Sequence, residues 1–139
     1  PYDYEAKINT KSIVSREKMR IEFNEEKNVI TFSTPGKNTV VISDDDKHIK
    51  LTDQNKNEIV MNSSGISLSS AKDITLKAKG AITIEATSKI NATAKQDVSL
   101  EGLNVKKEAK VSATVKGNAK AELLASGQTT VKGAMVMIN

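Results

Sequence analysis

The chain has 139 residues and a formal net charge of +4, with no Cys and no Trp. This length suits about one domain. All of its aromatic residues lie within the first 32 positions, so the rest of the chain lacks the large rings that normally fill the centre of a globular domain. The absence of cysteine excludes a disulfide framework and a thiolate zinc site. The sequence also contains no apolar run long enough to span a membrane and no signal peptide.

The basic excess lies in the second half of the chain. Residues 1–64 carry 10 basic and 11 acidic groups, whereas residues 65–139 carry 11 basic and 6 acidic groups. In the second half Lys alternates with Ala, Ser and Thr, which is typical of the solvated face of a strand. No aromatic or Arg platform accompanies these lysines, so we do not expect nucleic acid as a partner.

Two regions follow from the apolar pattern. Residues 1–28 show no regular repeat, and we interpret them as an N-terminal lead-in to the repeat of residues 29–139. The chain starts with Pro1 rather than Met, so we expect it to be a fragment of a longer protein. From residue 29 apolar residues come in pairs at i and i+2, the periodicity of a strand with one inward face. The steps between successive pairs are at first 10, 9, 10 and 7 residues, and the pairs are Ile30 and Phe32, Val40 and Ile42, Ile49 and Leu51, Ile59 and Met61.

From Gly65 onward the pairs recur every eight residues. An octad leaves room for a strand of about five residues and a corner of about three. Glycine and aspartate suit such corners, and they stand at Gly65, Asp73, Gly80, Asp97, Gly102 and Gly117. After a shift near Gly102 the pairs are Leu103 and Val105, Val111 and Ala113, Ala119 and Ala121, Gly127 and Thr129, and Met135 and Met137. We predict a core formed by Ile66, Leu68, Ile74, Leu76, Ile82, Ile84, Ile90, Val98, Leu100, Leu103, Val105 and Val111.

A helix over residues 104–125 is the competing interpretation. Lys, Ala and Glu favour a helix there, whereas Val105, Val111, Val115 and Gly117 oppose it. Strands with only two inward residues cannot enclose a core within one chain, but three chains wound around an axis can. The sequence therefore predicts an all-β fold, an intertwined triple-stranded parallel β-helix, or β-prism, formed by a homotrimer of about 45 kDa from chains of 15.0 kDa.

Catalytic and metal sites find little support in the sequence. His48 is the sole imidazole and alternates with the inward Ile49, so we expect it to face water rather than to serve a serine nucleophile. The run Asp44–Asp46 suggests a calcium loop, but Asn55 stands where an EF-hand would need its last glutamate, which favours a solvated corner. Paired carboxylates for glycoside cleavage would need a cleft with aromatic residues. We predict no enzymatic activity, no cofactor and no metal.

The C-terminal residues Met135, Val136, Met137, Ile138 and Asn139 allow two interpretations. They fill the last layer of the core, or they form an exposed apolar end that docks a partner. We favour docking, because the flexible thioethers of methionine adapt to a partner surface.

Five segments, in this order, resemble the C-terminal needle of the Vgr/VgrG spike proteins of contractile injection systems. They are Thr34–Asn38, Ile42–Asp46, Gly65–Ser70, Lys72–Leu76 and Ala125–Asn139. The resemblance implies a homotrimeric β-helix, with a baseplate-hub domain and an oligonucleotide/oligosaccharide-binding (OB) barrel missing upstream. It also implies a PAAR-repeat tip protein at the C-terminal end. Some phage spikes end instead in a metal-binding His-X-His apex, which the single, distant His48 does not match.

The expected function is therefore that of a non-enzymatic, cell-puncturing spike of a type VI secretion system or phage-tail-like particle. It would carry a PAAR-type tip protein or effector through a target envelope, contact the target membrane transiently, and join baseplate and tube proteins through its missing N-terminal region. We expect assembly in the bacterial cytoplasm, followed by secretion or incorporation into an extracellular particle. The alternatives are a trimeric tail-fibre or adhesin stalk and, less favoured, a β-helical polysaccharide-degrading enzyme.

Overall fold

The regular structure of the chain is one sheet of seven antiparallel strands. The computed structural model describes residues 9–138, and no helix occurs in that range. The strands are Thr10–Val14 (β1), Arg20–Asn24 (β2), Val29–Ser33 (β3), Thr39–Ser43 (β4), His48–Thr52 (β5), Glu58–Asn62 (β6) and Gly65–Ser69 (β7). Each strand pairs with the next, in the order β1-β2-β3-β4-β5-β6-β7. The prediction of an all-β fold is confirmed, and the alternative of a helix over 104–125 is wrong.

The direction of strand pairing differs from the prediction. The apolar pairs of residues 30–68 fall on β3 to β7 as expected, but all six strand pairs in the sheet are antiparallel and lie within one chain. The expected parallel pairing is therefore wrong for residues 29–69, whose strands pair antiparallel within the chain. The physical reason lies in the connections, because a parallel neighbour needs a crossover of about a dozen residues, and turns of two to five residues return the chain directly beside itself.

The strands begin inside the segment interpreted as a lead-in. β1 and β2 lie within residues 1–28 and are hydrogen-bonded to each other, and β2 is hydrogen-bonded to β3. Ile21 stands opposite Ile13 and Phe32, so the apolar face of β3 continues across β2 to β1. Residues 1–8 lie outside the described range of the chain.

The turns alternate in length between the two ends of the strands. Five-residue turns at 15–19, 34–38 and 53–57 lie on one side of the sheet, and the connections 25–28, 44–47 and 63–64 lie on the other. In each five-residue turn the N–H of the fourth residue donates to the carbonyl oxygen of the first, at 2.9–3.1 Å. The fourth residue is a lysine with positive φ in all three turns, namely Lys18, Lys37 and Lys56.

After β7 the chain continues without a strand ladder up to residue 138, and it bends at regular intervals. The contacts within the whole chain divide it into two compact units, residues 1–84 and residues 85–139. The first unit bends at 71–72 and 79–80, and the second at 87–88, 95–96, 103, 110–111, 118–119, 126–127 and 134. These intervals match the octad inferred from the sequence. Within the described residues, no helix is long and apolar enough to cross a membrane.

Candidate functional site

One face of the sheet carries a continuous apolar strip, two residues wide and seven strands long. Because side chains alternate along a strand, the strip combines two rows that the register aligns. The first row is Ile13, Ile21, Phe32, Val40, Leu51, Ile59 and Leu68. The second row is Phe23, Ile30, Ile42, Ile49, Met61 and Ile66, with Lys11 at its β1 end.

This apolar strip is open to solvent in the single chain. Leu51 on β5 and Ile59 on β6 are each 37% exposed, and Ile66 on the last strand is 77% exposed. Along the first row the surface forms an open groove of about 700 Å³, lined by Phe32, Leu51 and other members of that row. Among the described residues only Ser43, at 4% exposure, is buried. A continuous apolar surface of this kind marks an association site, because one chain leaves it without a cover.

The opposite face is polar and satisfies its charges within the sheet. On it, Lys50 Nζ lies 2.6 Å from Glu58 Oε2, and Arg20 pairs with Glu22. His48 is half-buried on this face, opposite Ser43 and pointing away from Ile49. The contrast between the two faces identifies the apolar strip, rather than the polar face, as the surface that needs a partner.

The acidic run Asp44–Asp46 forms a corner of the sheet. Asp46 N–H donates to Ser43 Oγ at 2.9 Å, and Asp45 Oδ2 lies 3.7 Å from Lys27 Nζ. Within residues 9–138 no group of three or more His, Asp or Glu side chains is placed to hold a metal ion. The run therefore stabilises a turn by hydrogen bonding.

A hydrogen-bonded cluster fastens the last five-residue turn to the start of the octad segments. Asp53 Oδ1 accepts the N–H of Asn55 and of Asn57, both at 2.8 Å. Asn57 Oδ1 in turn accepts Ser70 Oγ at 2.8 Å and the N–H of Ala71 at 3.3 Å. Asn38 acts in the same way in the preceding hairpin, since its Oδ1 accepts the N–H of Gln54 at 3.0 Å. Successive turns on this side of the sheet are therefore linked by asparagine side chains.

The Asp53 carboxylate should make the stability of this turn depend on pH. The hydrogen bond from the Asn57 backbone lowers the pKa of Asp53 below its ordinary value of 3.8, and bonds from Asn55 add to the effect. A carboxylate with a lowered pKa contributes stability above its unfolded pKa and loses it as the pH falls through the folded value. We expect the melting temperature of the wild type to fall more steeply below pH 3.8 than that of Asp53→Asn. Parallel melting curves for the two proteins over this acid range would show that Asp53 does not contribute.

The bends of the second unit define which residues occupy its extended segments. Leu103 and Val111 lie at bends and are 100% and 98% exposed, more than any other predicted core residue. In the first unit Ile74 and Leu76 lie three and five residues after the start of a bend. The same offset from the bends that start at residues 110, 118 and 126 selects Ala113 and Val115, Ala121 and Leu123, and Thr129 and Val131. Val115, Leu123 and Val131 were not among the predicted core residues.

The alternation of sides in these segments is visible in two ion pairs. Lys106 Nζ lies 2.5 Å from Glu108 Oε2, and Lys120 Nζ lies 2.5 Å from Glu122 Oε1. A contact between residues i and i+2 places both on one side of an extended segment, and the residue between them on the other. The bend before Lys120 depends on Gly117, because a Cβ there would overlap the carbonyl oxygen of Lys120.

The predicted docking residues lie at the C-terminal end of the second unit. They follow the bend at residue 134, and Met135 and Met137 are more than three-quarters exposed. Val136 and Ile138 are exposed as well, and Asn139 lies outside the described residues. The structure thus leaves an apolar group of side chains open at this end.

Comparison with protein families gives a match over most of the chain. The profile of the phage baseplate V C-terminal trimerisation domain matches residues 29–139. A comparison with curated proteins found no match. Trimerisation agrees with the open apolar strip, since two further copies of the chain would supply the cover that the single chain lacks. The chain therefore belongs to the family of phage baseplate V C-terminal trimerisation domains, a structural component of a baseplate spike.

Proposed function

We propose that the chain is the puncturing needle of a contractile injection machine, either a type VI secretion system or a phage-tail-like particle. On contraction the trimer would be driven through a target envelope, carrying a PAAR-type tip protein or an effector. Assembly would take place in the bacterial cytoplasm, before secretion or incorporation into an extracellular particle. In the assembled machine the spike would bind baseplate and tube proteins.

The observation that carries this proposal is the apolar strip, unbroken from β1 to β7 and open in the single chain. In a trimer the three strips would face one another around the threefold axis, where the predicted core residues Ile66 and Leu68 extend the same surface. Burial of one side chain such as Leu51 stabilises the assembly by about 1.5–3 kcal/mol. The strip spans seven strands in each of three chains, so the summed free energy of association would be large. Such an assembly would resist separation of single chains under load.

The remaining predicted core residues lie in the octad segments, which follow β7, and we propose that they too form part of the trimer core. Ile74, Leu76, Ile82, Ile84, Ile90, Val98, Leu100 and Val105 would point towards the partner chains, while Leu103 and Val111 would lie at corners. These segments have no strand partners within the described chain, so their backbone groups would pair between chains. This region of the trimer would then be the intertwined β-helix.

Removal of residues 135–139 should test the role of the tip. The shortened chain should still form a trimer, because the apolar strip is untouched. It should lose the cognate tip protein, because the exposed Met135, Val136, Met137 and Ile138 are gone. The measurement is co-purification of the tip protein together with the mass of the assembly in solution. Lys132→Ala, a change just before the tip, serves as the control and should retain the tip protein. Equal recovery with the intact and shortened chains would reject this end as the docking site.

A further inference from the structure

The two sides of the sheet on which the turns lie carry opposite charges. We call the turns 15–19, 34–38 and 53–57 the basic turn side, and the connections 25–28, 44–47 and 63–64 the acidic turn side. The basic turn side has four cationic and two anionic residues, a net charge of +2. The acidic turn side has two cationic and five anionic residues, a net charge of −3. The sheet is therefore polarised along its strands.

Three lysines on the basic turn side have no counter-ion within the described chain. Lys18, Lys37 and Lys56 occupy the same position in their turns, at φ values of 60°, 66° and 68°. Gly or Asn would adopt this left-handed conformation more easily, since it costs other residues about 1–2 kcal/mol. None of the three ammonium groups forms an ion pair with any residue from 9 to 138. They recur at every second strand, about 10 Å apart, and so form a row of like charges.

The acidic turn side has a matching number of carboxylates without a cationic partner. Glu25 and Asp45 are paired with Lys11 and Lys27, at 2.7 and 3.7 Å. Three further carboxylates on this side have no cationic partner within the described residues: Glu26, which accepts Asn9 Nδ2; Asp46, which is hydrogen-bonded to Ser43; and Asp44.

The geometry of a cyclic trimer brings these two sides together. The apolar strip is only two residues wide but seven strands long, so three copies bury it best when its long direction follows the threefold axis. The strands then run across the axis, and their ends meet at the three corners. Contacts around a threefold axis are head-to-tail, so one turn side of each chain meets the opposite turn side of the next. Along the threefold axis, each acidic connection is offset by one strand from the nearest basic turn. The basic turns of one chain can therefore fit between the acidic connections of the next.

We propose that the basic turn side of one chain binds the acidic turn side of its neighbour at each corner of the trimer. Lys18, Lys37 and Lys56 would face Glu26, Asp44 and Asp46 of the next chain. The occupant of each turn side is thus a second copy of this chain, selected by charge. This inference rests on the trimeric assembly of the proposed function and adds the contact that fixes the sense of association. Like sides repel, so a reversed, symmetric pairing of two chains is disfavoured.

Charge reversal tests the proposal. The basic-side variant is Lys37→Glu with Lys56→Glu, and the acidic-side variant is Glu26→Lys with Asp44→Lys. Each variant should show a smaller trimer fraction and a lower melting temperature at low salt, because all three corners become repulsive. The combined variant, reversed on both sides, should recover the trimer. Mixing the two single-side variants should yield heterotrimers, in which two of the three corners are complementary. The measurements are native mass and melting temperature at low and high salt.

A matched control separates this contact from net charge. Lys89→Glu with Lys95→Glu changes the net charge as much as the basic-side variant but lies outside both turn sides. It should retain the trimer. An equal loss in the control, or a combined variant no better than either single-side variant, would overturn the proposed corner contact while the trimer itself stands. A wild-type chain that stays monomeric at low salt would instead reject the trimeric assembly and the contact together.

Discussion

Ile59→Asp should abolish the trimer. Ile59 belongs to the first row of the apolar strip and lies on β6, between Leu51 and Leu68 on the neighbouring strands. The change forfeits about 1.5–3 kcal/mol of apolar burial per chain and brings three carboxylates together at the axis. Burial and mutual repulsion both oppose ionisation there, which adds a cost of several kcal/mol. Native mass should shift from about 45 kDa to that of the 15.0 kDa chain.

Val60→Asp is the matched control for this change. It replaces an apolar residue by the same carboxylate, one position along the same strand, but on the polar face beside Lys50 and Ser67. We expect Val60→Asp to remain trimeric, with only a small change in melting temperature. Similar losses in both variants would mean that the apolar strip is not the trimer surface.

Val115→Asp and Val111→Asp should separate the two possible core registers of the second unit. Val111 lies at the bend of residues 110–111, whereas Val115 occupies the segment position equivalent to Leu76. If the bends fix the register, Val115→Asp should lower the melting temperature of the trimer strongly and Val111→Asp only slightly. The two substitutions are chemically identical, so their difference reports position alone. Thermal melting followed by circular dichroism measures it, and the reverse order would support the register inferred from the sequence.

Much of the architecture could be predicted from local patterns. Apolar pairs at i and i+2 identified β3 to β7, because a strand with one buried face requires this alternation. The family was recognised from ordered segments such as Gly65–Ser70, and the match to residues 29–139 confirms the resemblance to a spike C-terminal domain. Strands with only two inward residues each predicted a core shared between chains, in agreement with a trimerisation domain.

One available signal was missed. The alternating steps of 10 and 9 residues between apolar pairs form a hairpin repeat of 19, which also spaces Ser15, Thr34 and Asp53. These three residues open the five-residue turns, and their side-chain oxygens accept the N–H of the fifth turn residue at 2.8–3.3 Å. Extending this repeat backward would have placed β1 and β2 within residues 1–28.

By itself the sequence determined strands β3 to β7, the octad intervals and the need for a shared core, because these follow from side-chain alternation along the chain. Only the tertiary structure decided that β1 to β7 pair antiparallel within one chain, since pairing direction depends on how short turns close in space. It also decided that turns with opposite net charges lie on opposite sides of the sheet, and that Val111 lies at a bend. Both depend on where the backbone reverses or bends, which a repeat of apolar residues locates only to within about two to four positions.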